Sequence, residues 1–272
     1  MRDYADDLAA LVQQLELPAV HLPGWSLGGN IAMQYTIDHP GAVRTLTLQA
    51  TGSPFGFGGS RDIEGTPTWP DYAGSGGGTV NAEFASRLAR GDRGNERFSP
   101  RTVMNACYFK PPFRVSPEHE ELLVSAILST KVSDDSYSAD HVPSANWPGV
   151  APGTRGVNNA LSPRYLNQEE LVNLAPKPPV LWVHGADDRA VSDTSLFDPG
   201  FLGQVGVMPG WPGAQVYPPQ PMKAQIRAIL ARYRAHGAQT QEVLLPDCGH
   251  APHIEKPEDV LRVVSAFVAG CE

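Results

Sequence analysis

Cysteine is scarce in this chain. There are three in 272 residues, Cys107, Cys248 and Cys271. An odd and scattered set is no disulfide framework, so a reducing, cytoplasmic compartment is the expectation. Long apolar runs are missing too, and no stretch approaches the roughly 20 residues that cross a bilayer as a helix. The opening Met1-Arg2-Asp3-Tyr4-Ala5-Asp6-Asp7 is charged, with no apolar run behind it, unlike a secretory leader. Basic charge is in deficit, with 21 Lys and Arg against 29 Asp and Glu and a formal net charge of −8. That balance argues against nucleic acid or an anionic membrane as a partner. Metal-ligand spacing is weak: His250-Ala251-Pro252-His253 has the form H-x-x-H, but Pro252 breaks the helix a metal pair would use. No metal and no cofactor are expected. The glycine run at 74–78 lacks the Gly-Lys-Ser/Thr ending of a phosphate loop and reads as a flexible linker.

What the chain does have is 27 Gly and 26 Pro, which mark a loop-rich molecule. Tyr4, Leu8, Leu11, Val12 and Leu15 recur at helical spacing before Pro18. Ala19–Leu22 reads as a strand, 24–29 as a tight turn, and Asn30–Asp38 as a helix stopped before Pro40. Thr45–Ala50 is a second strand, and strand, turn, helix, strand implies a parallel pair. Residues of about 53–170 are punctuated by Gly, Pro and Ser. They contain one clear helix, capped by Ser116 with Pro117 in its first turn, and a short one at 168–172. Sheet character returns at Val180–His184 and at Glu242–Leu245. A helix from Pro221 ends at Gly237, and another starts near Pro257. Residues 193–220 read as a long loop. The expected fold is α/β: a mostly parallel sheet with helices on both faces, spanning 1–272 as one domain, with a helical and irregular lid inserted at about 53–170.

Gly24-Trp25-Ser26-Leu27-Gly28 follows an apolar strand and leads into a helix. A G-x-S-x-G pattern alone is modest. In that setting it has a mechanical reading: a serine on a strained strand-to-helix turn, its hydroxyl clear of the sheet and small residues either side letting the backbone pass. The helix start then aims backbone N–H groups at a developing oxyanion. The bland alternative is a glycine-rich helix start with Ser26 as its cap.

At these residues the sequence resembles the serine α/β-hydrolases, in the branch that carries a lid. That family orders its triad serine, acid, histidine along the chain. The resemblance implies Ser26 as nucleophile. It implies Asp188 as the acid, third after the glycine in His184-Gly185-Ala186-Asp187-Asp188, with Asp187 and Asp193 as fallback candidates. It implies His250 as the base, in Pro246-Asp247-Cys248-Gly249-His250. The Leu27 N–H is expected to supply one oxyanion donor; no second donor is identifiable. Against these roles stand plainer ones, a solvated turn residue for Asp188 and a loop residue for His250. Trp25, Trp147 and Trp211 are each either pocket wall or core, and His184 reads as packing at a strand end.

The family places several strands before the nucleophile strand, and about two dozen residues precede Ser26 here. The sheet is therefore expected to be short on its N-terminal side, leaving the Ala19–Leu22 strand at an edge. Three explanations are open: a piece of a longer protein, a sheet completed by another copy or another chain, or a shortened sheet with reduced activity. The functional expectation is hydrolysis of an ester or similar acyl bond in a small apolar or aromatic substrate. Acyl transfer and carbon–carbon hydrolysis use the same residues. The competing expectations are a non-catalytic binding protein of hydrolase-like fold and a non-functional fragment.

Overall fold

The computed structural model describes residues 1–271. Helix α1 (Arg2–Gln14) leads into strand β1 (Val20–Trp25), helix α2 (Leu27–Asp38) and strand β2 (Val43–Gln49). A long insertion follows. It holds α3 (Ala82–Ala89), α4 (Pro100–Val103), a π-helical turn (Met104–Tyr108) and α5 (Pro117–Leu128). Two small sheets come next: β3 (Val132–Ser133) pairs with β4 (Tyr137–Ser138), and β5 (His141–Pro143) with β6 (Val150–Pro152). Helix α6 (Val157–Ala160) closes the insertion's regular structure. The main sheet then resumes with β7 (Val180–Gly185), followed by α7 (Pro199–Gln204), α8 (Met222–Ala235), β8 (Thr240–Leu245), α9 (Pro252–Glu255) and α10 (Pro257–Ala269).

The main sheet has the order β1-β2-β7-β8, with every neighbouring pair parallel. Strand β7 reads as an unbroken apolar run because both its faces are covered. Val180 and Trp182 point into one core with Leu46, Leu48, Met33, Ile226 and Tyr233. Leu181 and Val183 point into the other with Leu245 and Val260, and Phe267 packs against that cluster. Helices α2 and α8 thus cover one face and α10 the other. Each fully buried Leu or Val contributes about 1.5–3 kcal/mol relative to exposure, so the inner pair β2–β7 is where the sheet is held. Among the described residues no helix is long and apolar enough to cross a membrane.

Several local expectations shift. The first strand runs on through Pro23 and Gly24 to Trp25. Pro23 is tolerated because β1 is at the sheet edge, where a missing N–H breaks no ladder on its outer side. The helix after it starts at Leu27, directly behind Ser26, three residues earlier than polarity suggests. Residues 169–173 form a 3₁₀ turn. The glycine run at 74–78 is not a flexible linker. Gly74–Gly77 are buried, the Gly74 N–H donates to the Val150 carbonyl at 3.0 Å, and the Gly77 N–H donates to Asn159 Oδ1 at 3.0 Å. Glycine is used there for close packing, a use that composition does not distinguish from flexibility. Within the loop at 193–220, Asp198 caps α7 by accepting from the Phe201 N–H.

Candidate active site

Ser26 sits where β1 ends and α2 begins, at φ 52° and ψ −124°. For a residue with a Cβ, such a conformation costs on the order of 1–3 kcal/mol and persists only where the surroundings enforce it. The Ser26 N–H donates to the Gln49 carbonyl of β2 at 3.0 Å, and its own carbonyl accepts from the Gly29 N–H at 2.9 Å. A Cβ at position 24 would lie 2.4 Å from the Gly28 carbonyl oxygen, and one at 29 would lie 2.2 Å from Thr51 Oγ1. At 28 it would meet nothing within 4 Å. The tight turn therefore needs its small residues at 24 and 29; Gly28 faces open space beside the serine.

The imidazole of His250 bridges the other two residues. Its Nε2 lies 2.9 Å from Ser26 Oγ and its Nδ1 lies 2.8 Å from Asp188 Oδ2. The carboxylate fixes the proton on Nδ1, so Nε2 is the acceptor that faces the hydroxyl. Asp188 and His250 are both almost wholly buried. The second carboxylate oxygen, Oδ1, accepts from the Ala190 and Val191 N–H groups at 2.7 and 2.9 Å. Burial alone would raise the Asp188 carboxyl. The charge and hydrogen bond of His250, with the neighbouring His184 and the Val191 N–H, outweigh it and hold the group below the usual carboxylate range. Leu27 follows Ser26 as the first residue of α2. Its N–H has no intrahelical partner by helix geometry.

The alternative acids are engaged elsewhere. Asp187 pairs with Lys110 at 3.1 Å. Asp193 accepts from the Lys223 and Ala224 N–H groups at the start of α8. Trp25 lies against His250: its indole N–H donates to the His250 carbonyl at 2.7 Å, and its ring meets those of His250, His253 and Tyr108. Trp147 and Trp211 gather around Tyr217 instead. Trp147 donates to the Pro209 carbonyl with its ring 4.8 Å from that of Tyr217, and Trp211 donates to the Tyr217 carbonyl. Cys248 is buried and its thiol is pushed up to about 12, chiefly by loss of solvent, which leaves it un-ionised and inert at neutral pH.

Sequence reasoning missed what surrounds the base. The His250 N–H donates to the carbonyl of Tyr108 in the inserted segment at 2.8 Å. Buried Glu255 accepts from the Gly249 and Lys110 N–H groups at 2.9 and 2.8 Å. Lys110 also pairs with Asp247. A Cβ at Gly249 would sit 2.7 Å from the Lys110 nitrogen. The exit of the π-helical turn is thus stapled to the histidine turn. The spacing Gly249-x₅-Glu255 was available in sequence, but nothing in it pointed to residues 108–110.

A parallel sheet with a serine on a strand-to-helix elbow, an acid after one later strand and a histidine after the next defines an α/β-hydrolase architecture. The profile of the alpha/beta hydrolase fold family matches residues 1–199, and the chain belongs to that family. Solved structures agree in fold. A bacterial membrane phospholipase A, described as a virulence factor, is 18% identical with a TM-score of 0.53 over 98% of this chain and 62% of that one. The carboxylesterase CesB from Bacillus subtilis is 16% identical with a TM-score of 0.52, over 99% of this chain and 66% of that one. A meta-cleavage product hydrolase from Pseudomonas fluorescens IP01 is 14% identical with a TM-score of 0.51, over 100% of this chain and 72% of that one. The chain therefore spans less than two thirds of the phospholipase's length. No curated protein matches it.

Proposed function

We propose that this chain is a serine hydrolase that cleaves an ester or similar acyl bond, with Ser26 as nucleophile, His250 as general base and acid, and Asp188 as its orienting carboxylate. The observation that carries the reading is the unbroken hydrogen-bond chain from Ser26 Oγ through the His250 ring to Asp188 Oδ2, at 2.9 and 2.8 Å. Ser26 Oγ attacks the acyl carbon while His250 Nε2 takes its proton. The tetrahedral oxyanion is met by the Leu27 N–H at the start of α2. As the intermediate collapses, the carbon–oxygen bond to the leaving alcohol breaks and His250 returns the proton to that oxygen. A water then repeats the sequence on the acyl-enzyme, releasing the acid and restoring Ser26.

The inserted segment supports a small apolar or aromatic substrate and a lid role. Met104, Phe109 and Val124 form an apolar cluster with Ala251, and Trp25, Tyr108 and Phe113 pack against it. That cluster joins the insertion to the Ser26 and His250 turns, and apolar walls with few polar groups are what such ligands require.

The test is labelling of the purified chain with a fluorophosphonate, read by peptide mass spectrometry, beside Ser26→Ala. One adduct on the Ser26 peptide, absent in the variant, is the expected result. A chain that melts cooperatively and takes no adduct is a binding protein on a hydrolase fold, and the proposal falls.

A further inference from the structure

The acid of the triad has a second imidazole beside it. His184 is the penultimate residue of β7, four residues before Asp188, and is fully buried. Its Nε2 lies 3.0 Å from the Val191 carbonyl and 3.3 Å from Asp188 Oδ2. Its Nδ1 is buried with no partner among the described residues. An acceptor carbonyl at Nε2 requires the proton there, so the ring is the neutral Nε2–H tautomer with an idle Nδ1. A buried polar nitrogen left without a partner costs free energy, and a leucine or phenylalanine would fill the same space without it. The feature His184 has and those residues lack is the Nε2–H.

That group acts on the Asp188 turn from two sides. Through the Val191 carbonyl it holds the residue whose N–H, with that of Ala190, grips Oδ1. The same Nε2 also lies 3.3 Å from Oδ2, the oxygen that takes His250, close enough for the N–H dipole to favour the negative charge there although the hydrogen bond itself goes to Val191. The Ala190 and Val191 N–H groups and His250 already hold both carboxylate oxygens; what His184 adds is a restraint on the Val191 segment that carries one of those donors. The charged and titratable groups acting on this ring are Asp188, His250 and, from the start of α8, Lys223.

We propose that His184 is a positioning residue for the triad acid: its neutral imidazole, anchored on the Val191 carbonyl, fixes the Asp188 carboxylate in the orientation that His250 needs. The inference rests on the serine-hydrolase reading for its effect on rate, though not for its effect on the His250–Asp188 bond.

Two variants test it, His184→Phe and His184→Gln, each read three ways. Glutamine restores a side-chain N–H at the reach of Nε2; phenylalanine keeps the volume without the donor. Misplacement of a catalytic group by about 1 Å costs on the order of 100-fold. H184F is therefore expected to lose roughly 10- to 100-fold in kcat with KM unchanged and a displaced acid limb in its pH–rate profile. H184Q is expected to return to within a few-fold of the parent. Independently of turnover, the low-field imidazole N–H proton resonance of the His250–Asp188 bond should persist in the parent and H184Q and be lost or moved upfield in H184F. Should H184F fail to fold, H184Q decides: parent-like rate and resonance support the proposal. An H184F protein with parent-like kcat, pH profile and resonance overturns it, as does a folded H184Q that has lost the resonance. A parent chain that takes no fluorophosphonate yet shows the resonance dependence would sink the hydrolase reading and leave the positioning role standing.

Discussion

At the scale of single residues, the site is a set of backbone and side-chain groups pinned from outside their own turns. His250 shows this best. Its N–H is held by the insertion and its carbonyl by Trp25, one residue before Ser26. The Trp25 indole therefore ties the His250 turn to the Ser26 turn. Trp25→Phe keeps most of the ring and removes the N–H donor. A hydrogen bond of this kind contributes about 0.5–1.5 kcal/mol, so kcat is expected to fall roughly 2- to 10-fold with KM changed less than about twofold. Steady-state kinetics on a chromogenic ester would read the split. A raised KM with unchanged kcat would make Trp25 a pocket wall instead.

At the scale of elements, the coupling of the insertion to the histidine turn is the feature with consequences. Glu255 of α9 accepts one N–H from each side of that junction. Burial raises its carboxyl, while the Lys110, Gly249 and Ala251 N–H groups lower it. In Glu255→Gln one of the two oxygens becomes an NH₂ facing a backbone N–H. One buried donor is left unmet, at about 1–3 kcal/mol. Faster limited proteolysis near residues 108–116 and a lower denaturation midpoint are expected; a parent-like digestion pattern would show that the junction does not depend on the carboxylate. Elements differed in how far the sequence disclosed them. The strands and helices of the main sheet announce themselves by period, because one stripe or both faces are buried. Helix α3, the π-helical turn and the two small sheets do not, because they are too short for a period to show.

At the scale of the whole molecule, His184 is expected to contribute to the pH dependence of stability. Burial pulls its imidazole down to about 4, chiefly by desolvation; Asp188 opposes that shift, while Lys223 and His250 add to it. In the unfolded chain an unperturbed imidazole titrates near ~6.5. Between those values the unfolded state binds a proton that the folded state refuses. The His184 contribution to stability therefore rises with pH across that window and is lost on acidification through it, while buried Asp198, raised to about 6 by desolvation, works in the opposite direction. The full His184 effect is about 3 kcal/mol at one unit per 1.36 kcal/mol. Asp188 adds a separate loss only at lower pH, because its folded carboxyl is already held below its unfolded value. Melting temperatures from pH 7 to pH 4 should fall more steeply for the parent than for H184Q, which has nothing to titrate there. Parallel curves would refute the assignment. The sheet also leaves β1 at one end of its order and β8 at the other, so Ser26 follows an edge strand.

The amino-acid sequence by itself determined the parallel strands and the tight turn at Ser26. Each of these is written locally, in a strand's apolar run, a glycine beside a turn, or a helix start. It also put turns after the 180–184 and 242–245 strands, while the choice of Asp188 and His250 on those turns came with the resemblance to the serine α/β-hydrolases. Only the tertiary structure decided that Trp25 serves His250 across 225 positions, that Tyr108 and Lys110 belong to the histidine turn, and that His184 stands against Asp188. Those are polar pairs between distant segments. No periodicity encodes them, because which buried donor meets which acceptor is fixed only when the sheet brings its strand ends together.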